Sequence, residues 1–340
     1  ISCLVYIGFG SALQIQRGAI PTNHPLFIGN LGMHGAYAAN MAVSNCDVLF
    51  SIGTRFNDRI TGKLHEFAPN AQIIHIDIDT ASISRNIQVD IPIVADAKDA
   101  LAKMSEYVSD YASKKWNSEI NSWKQEHPLV MRPNDILSPV DIINQINCQF
   151  EEAIIVTDVG QHQMLVSQYA EITPGKQLVM SGGLGTMGYG LGAAIGAQTA
   201  NPDRTVVNIA GDGCFRMNMN ELATASREKL PLIEVIINNH VLGMVRQWQT
   251  LFYEKHYSAT VLDDGVDYVK LSEAMGATAR RVKTQEEFEK AFADALKSKT
   301  PFVIDCIIDS DDKVWPMVAP GKPINESFDE EDYNATQGGN

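Results

Sequence analysis

Runs of apolar residues alternate along the chain with segments in which apolar residues recur every three or four positions. Two such runs lie in the first third, at residues 47–53 and 73–79, and have the length and composition of buried strands. Each run ends in glycine or polar residues, and ligands of open α/β sheets usually bind at the carboxyl ends of strands. The pattern therefore predicts parallel α/β layers, with binding residues directly after the strands.

The same alternation restarts in the second half of the chain. Four apolar runs are predicted strands, at residues 153–160, 205–213, 232–239 and 301–308. Segments with helical spacing lie between them, at residues 188–198, 219–229 and 288–298. Strands that alternate with helices indicate the α/β class, here as two doubly wound domains with parallel sheets.

A polar segment separates the two alternating regions. Residues 114–139 are rich in Trp, Lys, Asn and Glu, contain prolines, and are interpreted as a helix followed by a linker. The predicted domains are therefore residues 1–113 and residues 140–320. An acidic tail follows at residues 321–340, and its end, from Phe328 onward, is predicted to be disordered.

The composition is that of a globular protein and excludes several classes of partner. With 45% apolar and 20% charged residues and a net charge of −14, the chain lacks the basic character of proteins that bind nucleic acids or anionic membranes. No apolar run is long enough to span a membrane, and residues 1–13 are interpreted as a buried strand and turn rather than a signal peptide. The five cysteines are widely scattered along the chain: Cys3, Cys46, Cys148, Cys214 and Cys306. This spacing favours a reducing compartment and indicates neither a zinc site nor a disulfide framework.

The ends of two consecutive predicted strands carry the residues of a metal and diphosphate site. Asp212 stands in a Gly-Asp-Gly turn directly after one strand, and Asn239 ends the next strand 27 residues later. Both ends meet at one sheet edge, so Asp212, Asn239 and the backbone carbonyl near Val241 are predicted Mg²⁺ ligands. Gly211 and Gly213 let backbone N–H groups approach a phosphate. The alternative is a structural turn, which is what an isolated Gly-Asp-Gly usually forms.

Further motifs extend this site and identify a family resemblance. Glycine-rich turns open helices at residues 158–164 and 181–198, as a cofactor lying across the sheet edge requires. Together with LGMHG (31–35), RFNDRITGKL (55–64) and LGMVRQWQTLFYEKHYS (242–258), they make the chain closely resemble the large catalytic subunit of acetohydroxyacid synthase (acetolactate synthase), of the anabolic, FAD-containing type.

The resemblance implies a transferase that uses thiamin diphosphate, Mg²⁺ and FAD. Such an enzyme decarboxylates pyruvate and adds the two-carbon remainder to a second pyruvate or to 2-ketobutyrate, in branched-chain amino-acid biosynthesis. The residues that match the family's thiamin diphosphate contacts lie in the second domain: Val159, Gly160, Gln161, His162, Gly185, Met187, Gly211, Asp212, Gly213, Cys214, Asn239, Gly243 and Met244.

The resemblance also implies roles for four residues near the reacting groups. Met187 would lie beneath the cofactor and hold its two rings in a bent shape, although it is otherwise an ordinary core methionine. Trp248, with Met244 and Arg246, would border the acceptor site, where selection by one methylene is worth about 1–3 kcal/mol. The alternative role for Trp248 is an aromatic anchor on a helix.

The first domain resembles the FAD-binding middle domain of the family. Arg55 would face the flavin's diphosphate and Asp77 a ribose, while the alternative for Arg55 and Arg59 is a surface ion-pair cluster. Because the reaction has no net redox change, the flavin is expected to be structural. The residues matched to FAD contacts are Leu31, Gly32, Met33, His34, Gly53, Thr54, Arg55, Asn57, Arg59, Asp77, Ile78, Asp96, Ala97 and Gln163.

The chain departs from the family pattern in several places. It has no counterpart of the N-terminal pyrimidine-binding domain that carries the activating glutamate, and it is short between Gly10 and Arg17. Asn57 replaces the usual aspartate and Gly192 the usual proline. These departures leave open a non-catalytic cofactor-binding fragment, and the nearest related activities are those of glyoxylate carboligase and pyruvate oxidase. A nicotinamide dehydrogenase is disfavoured because no GxGxxG motif lies in a βαβ context.

The resemblance also implies partners and location. The family assembles as homodimers or homotetramers, in some cases with a regulatory small subunit, and pyruvate and 2-ketobutyrate are the expected substrates. The expected location is the cytoplasm of a bacterium, or an organelle such as the plastid or mitochondrion of a eukaryote.

Overall fold

The computed structural model describes residues 4–7, 18–107, 113–129, 136–262 and 265–337. The chain divides into two compact units. The first comprises Ile1–Ile20, His24–Val130 and Trp315–Asn340, and the second comprises Pro21–Asn23 and Met131–Val314. The domain boundaries expected from the sequence stay predictions.

A parallel four-stranded sheet forms the centre of the first unit. Its strands pair in chain order, and the two apolar runs predicted as strands form its central pair. One further strand lies in the opening segment, as predicted, although the turn expected after it falls outside the described residues. The strands are β1 (Leu4–Ile7), β2 (Val48–Ile52), β3 (Gln72–Asp77) and β4 (Ile91–Val94).

Helices cover both faces of this sheet. The helices are α1 (Tyr37–Asn45), α2 (Asp58–Thr61), α3 (Ala97–Ser105) and α4 (Lys114–Glu126). Leu49 and Ile73 point to the core that contains α1 and α4, whereas Ile52 and Ile76 pack against Ala100 of α3. Side chains that alternate along a strand therefore pack into two cores, one on each face of the sheet, which makes this a doubly wound layer.

The second unit is built around six parallel strands. All four predicted apolar runs are strands of this sheet, and their order is β6-β5-β7-β8-β10-β9. The central strands are buried along almost their whole length, which explains their continuous apolar runs. The strands are β5 (Ala153–Thr157), β6 (Lys176–Met180), β7 (Val206–Gly211), β8 (Ile233–Asn238), β9 (Thr278–Val282) and β10 (Phe302–Ile307).

Eight helices of the second unit are α5 (Pro139–Gln149), α6 (Gln161–Tyr169), α7 (Tyr189–Ala200), α8 (Asp212–Asn218), α9 (Leu222–Arg227), α10 (Gly243–Phe252), α11 (Tyr268–Ala274) and α12 (Gln285–Ala295), all within the described residues. One core joins α5, α6 and α12 to one face of the sheet, and a second joins α7, α8, α9 and α11 to the other. The two predicted doubly wound layers are thus confirmed. None of the helices in the described part of the chain has both the length and the apolar character needed to cross a membrane.

Three edge strands were not predicted. These are β4, β6 and β9. β4 is a short, largely exposed segment that contains a proline, whereas β6 and β9 are partly buried and mix polar with apolar residues. An edge strand has a neighbour on one side only, so it does not need the continuous apolar run by which buried strands are recognised. Their presence was therefore decided by pairing with the central strands.

The expectation of disorder from Phe328 onward is wrong for residues 328–337. This segment holds β12 (Ser327–Phe328), which pairs with β11 (Met317–Val318), and α13 (Glu330–Gln337). The Asp329 side chain accepts hydrogen bonds from the Glu331 and Asp332 N–H groups, which caps the helix. Trp315 packs against Phe328 and Tyr333 at ring distances of 5.8 and 6.2 Å. These local contacts order a segment whose acidic composition suggested otherwise.

The order of the strands creates a crevice in the second unit. β5 lies between β6 and β7, so the chain leaves β5 in one direction and returns on its other side. After β5 the chain enters α6 on one face, and after β7 it enters α8 on the opposite face. The loops that follow β5 and β7 therefore diverge and leave space between them, which is where ligands bind in such sheets.

Candidate active site

A cleft that is open to solvent lies at this crevice. Its walls come from the turns that follow β5, β7 and β8, together with Met187 and the start of α10. Nearly all of the residues predicted to bind thiamin diphosphate or the metal are in its lining: Val159, Gly160, Gln161, His162, Met187, Gly211, Asp212, Gly213, Cys214, Asn239, Val241, Gly243 and Met244. The fold therefore brings together four segments that are far apart in the chain.

Asp212 has the environment of a cation ligand. Its side chain is 2% exposed, and Oδ1 accepts a hydrogen bond of 3.0 Å from the Gly213 N–H. Oδ2 is buried without a hydrogen-bond partner, and burial raises the pKa of this carboxyl to about 6. A buried carboxylate oxygen without a donor is costly unless a cation pairs with it. The described residues contain no cluster of three His, Cys, Asp or Glu side chains, so amide and carbonyl oxygens would complete a metal site.

Asn239 is held in place by a chain of amide side chains. Its Oδ1 accepts the Val241 N–H at 3.1 Å, and its Nδ2 lies 3.5 Å from Gln161 Oε1. Gln161 Nε2 donates in turn to Gln247 Oε1 and to the Asp312 carbonyl, both at 2.9 Å. Gln247 is buried and was not predicted as a site residue, although it lies in the LGMVRQWQ motif. Its position beside Gln161 depends on how α10 packs against α6.

The floor of the cleft is formed by glycines, so its surface is backbone without side chains. A Cβ atom at Gly243 would lie 1.9 Å from Gln161 Oε1, and one at Gly213 would lie 2.8 Å from Leu242 Cδ2. At Gly211 it would lie 3.0 Å from His162 Nδ1. Side chains at these positions would also fill the space in which backbone N–H groups approach a ligand, so the floor fits a diphosphate.

His162 and Cys214 are buried and neutral. Burial lowers the pKa of His162 to about 4, so its unprotonated Nε2 accepts the Gly211 N–H at 3.3 Å. The Cys214 thiol donates to the Val159 carbonyl at 2.9 Å, and burial raises its pKa. A buried thiol with a raised pKa is not a nucleophile. Both side chains hold the two turns that form the floor.

Some of the residues assigned to the cofactor or to the reacting groups line the cleft, and others do not. Met187 and Met244 line the cleft, and the Met187 Cε would be 3.5 Å from a Cβ at Gly213. Gly185 and Trp248 are not among the described residues that line it. Gly185 has a φ of 65° in the turn before Met187, and the Trp248 ring packs edge-on against Phe252 at 5.6 Å.

Arg246 is fixed on the surface of α10 by two contacts. Its Nε donates to Asp311 Oδ1 at 2.9 Å, and its guanidinium lies 4.1 Å from the centre of the Tyr257 ring. The carboxylate of Asp311 raises the pKa of the guanidinium, so the side chain is a permanent cation. It can therefore attract an anionic substrate, although it is not among the described residues that line the cleft.

In the first unit, most of the residues matched to FAD follow the carboxyl ends of parallel strands. Gly53, Thr54 and Arg55 follow β2, Ile78 follows Asp77 at the end of β3, and Asp96 and Ala97 follow β4. Asp96 caps α3 by accepting hydrogen bonds from two backbone N–H groups of its first turn. Because the strands are parallel, these groups share one edge of the sheet.

The LGMHG and RFNDR motifs are in contact. The Met33 N–H donates to the Arg59 carbonyl at 2.8 Å, and a Cβ at Gly32 would lie 2.3 Å from the same oxygen. Gly32 has a φ of 111°, so both its conformation and its surroundings require glycine. Asn57 precedes α2 without capping it, and its buried Oδ1 has no hydrogen-bond partner.

The remaining arginines and Gln163 are placed as follows. Arg59 lies 3.7 Å from Asp58 and is half-exposed, whereas Arg55 forms no ion pair within the described part of the chain. Leu31 and His34 flank the contact between the two motifs, and His34 is buried. Gln163 is buried in α6 and belongs to the second unit, whereas the other residues matched to FAD belong to the first.

Two family models match the chain. Residues 158–306 match the model described as the thiamine pyrophosphate enzyme C-terminal TPP binding domain. Residues 12–104 match the thiamine pyrophosphate enzyme central domain. The first match contains nearly all of the cleft, and the second contains both motifs of the first unit.

Curated relatives are acetolactate synthase large subunits. The chain is 42% identical over 316 residues to the one from Cyanidium caldarium, a match that covers 90% of this chain and 54% of the relative. It is 39% identical over 315 residues to the isozyme 2 large subunit of Escherichia coli, with 92% and 57% covered. A probable acetolactate synthase large subunit from Methanocaldococcus jannaschii is 41% identical over 318 residues, with 90% and 53% covered.

The chain thus spans about half the length of the curated relatives it matches. Within that span, the matches extend over most of both compact units and contain the cleft, the glycine floor and the motifs of the first unit. The chain therefore contains the central and C-terminal domains of thiamine pyrophosphate enzymes and is homologous to the acetolactate synthase large subunits.

Proposed function

We propose that the protein acts as the catalytic subunit of an acetohydroxyacid synthase. It decarboxylates pyruvate and joins the two-carbon remainder to a second pyruvate or to 2-ketobutyrate, giving 2-acetolactate or 2-aceto-2-hydroxybutyrate. The observation that carries the proposal is the cleft floor, where the buried Asp212 Oδ2 has no partner and glycines leave room for a diphosphate. The C-terminal TPP binding domain match supports the same cofactor.

The proposed metal is Mg²⁺, held by the Asp212 carboxylate, the Asn239 amide oxygen and the Val241 carbonyl. These are hard oxygen donors, which Mg²⁺ prefers, and phosphate oxygens would complete its coordination. The orphaned Asp212 oxygen fits this assignment, and the Gln161–Gln247 pair holds Asn239. When bound, thiamin diphosphate supplies the carbanion chemistry that decarboxylation and carbon–carbon bond formation need.

The protein's own contribution at this end of the cleft is to bind, orient and exclude water. Met187 and Met244 give the cleft an apolar wall above a polar floor. The neutral His162 keeps the Gly211 turn closed through its Nε2 without adding a charge beside the metal. Trp248 and Arg246 are assigned to the acceptor substrate, the first by its bulk and the second by its positive charge.

We further propose that the first unit binds FAD at the edge shared by the ends of β2, β3 and β4. Arg55, which has no ion pair within the described residues, would pair with the flavin's diphosphate. The buried Asn57 Oδ1 has no hydrogen-bond partner and can accept a bond from the flavin or a water. Because the reaction has no net redox change, the flavin would act by holding this edge in place.

Other parts of the assembly are also proposed. The activating glutamate would come from a pyrimidine-binding domain, and the active protein would be a homodimer or homotetramer. A regulatory small subunit fits the description of the relatives as large subunits. Size-exclusion chromatography with light scattering, with and without candidate small subunits, tests the assembly.

The test of the function is product formation by the full-length protein. With pyruvate, thiamin diphosphate, Mg²⁺ and FAD present, we expect 2-acetolactate, and omission of thiamin diphosphate or Mg²⁺ should abolish it. Supplying glyoxylate alone separates glyoxylate carboligase, one of the nearest related activities, by its different product. Absence of 2-acetolactate with all cofactors bound would overturn the proposal.

A further inference from the structure

Asp158 binds three backbone N–H groups from inside the second unit. It directly follows β5, is 1% exposed, and has a carboxylate that accepts hydrogen bonds at both oxygens. Oδ1 accepts the N–H groups of Val159 and Gly188, each at 2.9 Å, and Oδ2 accepts the Gly190 N–H at 3.1 Å. The last two donors lie 30 and 32 residues further along the chain, so this carboxylate joins two separate loops.

These donors belong to the start of α7. Gly188 is the N-cap residue and makes no side-chain cap, and Gly190 is the second residue of the helix. The first N–H groups of a helix have no partner within it, so a buried helix start needs an acceptor from elsewhere. A carboxylate is the strongest such acceptor, because its bonds to N–H groups are charge-assisted and it complements the helix dipole. Asp158 therefore caps α7 from a neighbouring strand.

The same turn is held from its other side. Asn218 Nδ2 donates to the Gly188 carbonyl at 2.7 Å, and a Cβ at Gly188 would lie 2.6 Å from the Met217 Cβ. A Cβ at Gly190 would lie 2.5 Å from Asn208 Oδ1, and Asn208 Nδ2 donates to both oxygens of the fully buried Glu234. Burial raises the pKa of Glu234 well above its usual range. The turn is thus enclosed by close contacts on one side and anchored by Asp158 on the other.

Met187 immediately precedes the anchored N–H of Gly188 and lines the cleft. We propose that Asp158 is a positioning residue that fixes the Met187 turn over the cleft floor, so that Met187 is held in place before the cofactor binds. The proposal rests on the proposed function in one respect, the role of Met187 beside the cofactor. Asp158 also shares its surroundings with His162 and Cys214, which fasten the Val159–Gly211 side of the same floor.

The first experiment needs no cofactor. In Asp158→Asn the side chain keeps its size but loses its charge. Its NH₂ group replaces one of the two acceptor oxygens, so one backbone N–H group faces a donor instead of an acceptor. We expect amide hydrogen exchange at Gly188 and Gly190 to become at least about tenfold faster, because charge-assisted bonds are roughly twice as strong as neutral ones. Unchanged protection of these two amides in Asp158→Asn would overturn the proposal.

Asp305→Asn is the matched control for loss of a buried carboxylate. Asp305 is fully buried on β10 and accepts hydrogen bonds from Asn238 and Arg281, with none from the Met187 turn. Asp305→Asn should destabilise the unit without selectively accelerating amide hydrogen exchange at Gly188 and Gly190. Should Asp158→Asn fail to fold, Asp158→Glu, which retains the charge and displaces it by one methylene, gives the same local measurement.

The second experiment tests whether Asp158 acts through Met187. The Kd of thiamin diphosphate, measured with Mg²⁺ on the full-length protein, is compared for the wild type, Asp158→Asn, Met187→Ala and the double variant. We expect Asp158→Asn alone to weaken binding of thiamin diphosphate about tenfold. When Met187→Ala is already present, adding Asp158→Asn should weaken binding little further. Independent, additive effects indicate a structural role and overturn the proposal.

The two failures are distinguishable. If the wild-type protein does not bind thiamin diphosphate, the proposed function fails, and the amide exchange at Gly188 and Gly190 still decides whether Asp158 anchors the turn. If the wild type binds and Asp158→Asn binds equally well, the function stands and the positioning role is wrong.

Discussion

At the scale of single residues, Asp212 combines a cost to folding with a proposed role in metal binding. Burial raises its pKa to about 6 from the usual value of 3.8. Above pH 6 the folded protein holds a buried carboxylate that binds protons more tightly than the unfolded chain does. Stability is therefore lowered as the pH rises from about 4 to 6, and the cost is present in full at pH 7.

We therefore predict that Asp212→Asn stabilises the protein in the absence of ligands. The expected gain in the free energy of unfolding at pH 7 is on the order of 2 kcal/mol, shrinking as the pH falls below 6. We expect Mg²⁺ with thiamin diphosphate to raise the melting temperature of the wild type, and the same variant should lose this increase. Urea unfolding at pH 7 and 4.5 measures the first effect, and a destabilised ligand-free variant at pH 7 would contradict it.

His162 leads to a pH prediction of opposite sign. Its folded-state pKa of about 4 lies below the usual value of 6.5, so the unfolded chain binds more protons between these limits. Stability contributed by the neutral ring is complete above pH 6.5 and is lost as the pH falls towards 4. Protonation would also remove the acceptor for the Gly211 N–H.

Between pH 7 and 5, we expect the wild type to lose roughly 1–2 kcal/mol more unfolding free energy than His162→Gln. Glutamine does not titrate and keeps an oxygen acceptor for the Gly211 N–H. Chemical unfolding curves of both proteins at the two pH values test this. Equal losses would show that His162 is not the group responsible.

At the scale of elements, α7 contains two glycines that its packing does not require. Gly192 and Gly196 are exposed, and a Cβ at either would meet no atom within 4 Å. By contrast, a Cβ at Gly190 in the same helix would lie 2.5 Å from Asn208. Glycine inside a helix costs about 0.5–1 kcal/mol relative to alanine when alanine fits.

Gly192→Ala should therefore raise the free energy of unfolding by about 0.5–1 kcal/mol. The gain comes from the smaller conformational freedom of the unfolded chain, since the folded chain has space for the methyl group. Gly190→Ala is the contrasting variant and should destabilise the unit, because Asn208 would have to move. Thermal or urea unfolding measures both, and a loss of stability in Gly192→Ala would show that this face is covered by a contact not seen in the monomer.

At the scale of the whole molecule, the C-terminal segment belongs to the first unit. The Val318 N–H donates to the Met33 carbonyl at 2.8 Å, and the Lys63 N–H donates to the Lys322 carbonyl at 3.1 Å. Ile324 is 1% exposed in the core that also contains residues of α1 and α4. The segment that follows the second unit in sequence thus completes the core beside the motifs matched to FAD.

Truncation of Ile324 to alanine should consequently destabilise the first unit by about 2–4 kcal/mol, as expected for a large buried side chain. Leu26, which is 62% exposed in the same unit, is the control, and Leu26→Ala should change stability by less than about 0.5 kcal/mol. Denaturation monitored by Trp116 and Trp123, which lie in α4, reports on this unit. Equal stability of the two variants would show that the segment is not part of the core.

The sequence was sufficient for the features that depend on local pattern. The buried strands β2, β5, β7, β8 and β10 are continuous apolar runs, and the carboxyl ends of β7 and β8 carry Asp212 and Asn239. Since parallel strands place their carboxyl ends on one edge, these two residues could be assigned to one site without coordinates. The motif resemblance then matched the residues that the cleft gathers.

Tertiary structure alone decided the features that join distant segments. The edge strands exist because central strands pair with them. The acidic tail is ordered because Trp315 packs against Phe328 and Ile324 is buried in the core of the first unit. Asp158 binds Gly188 and Gly190 across 30 and 32 residues, and Gln161 meets Gln247 across 86. Local periodicity indicates whether a side chain faces a core. Which residue that side chain contacts depends on the order of the strands and on the path of each loop. The positions of the candidate site residues along the chain could therefore be proposed from the sequence, while the groups that hold them required the fold.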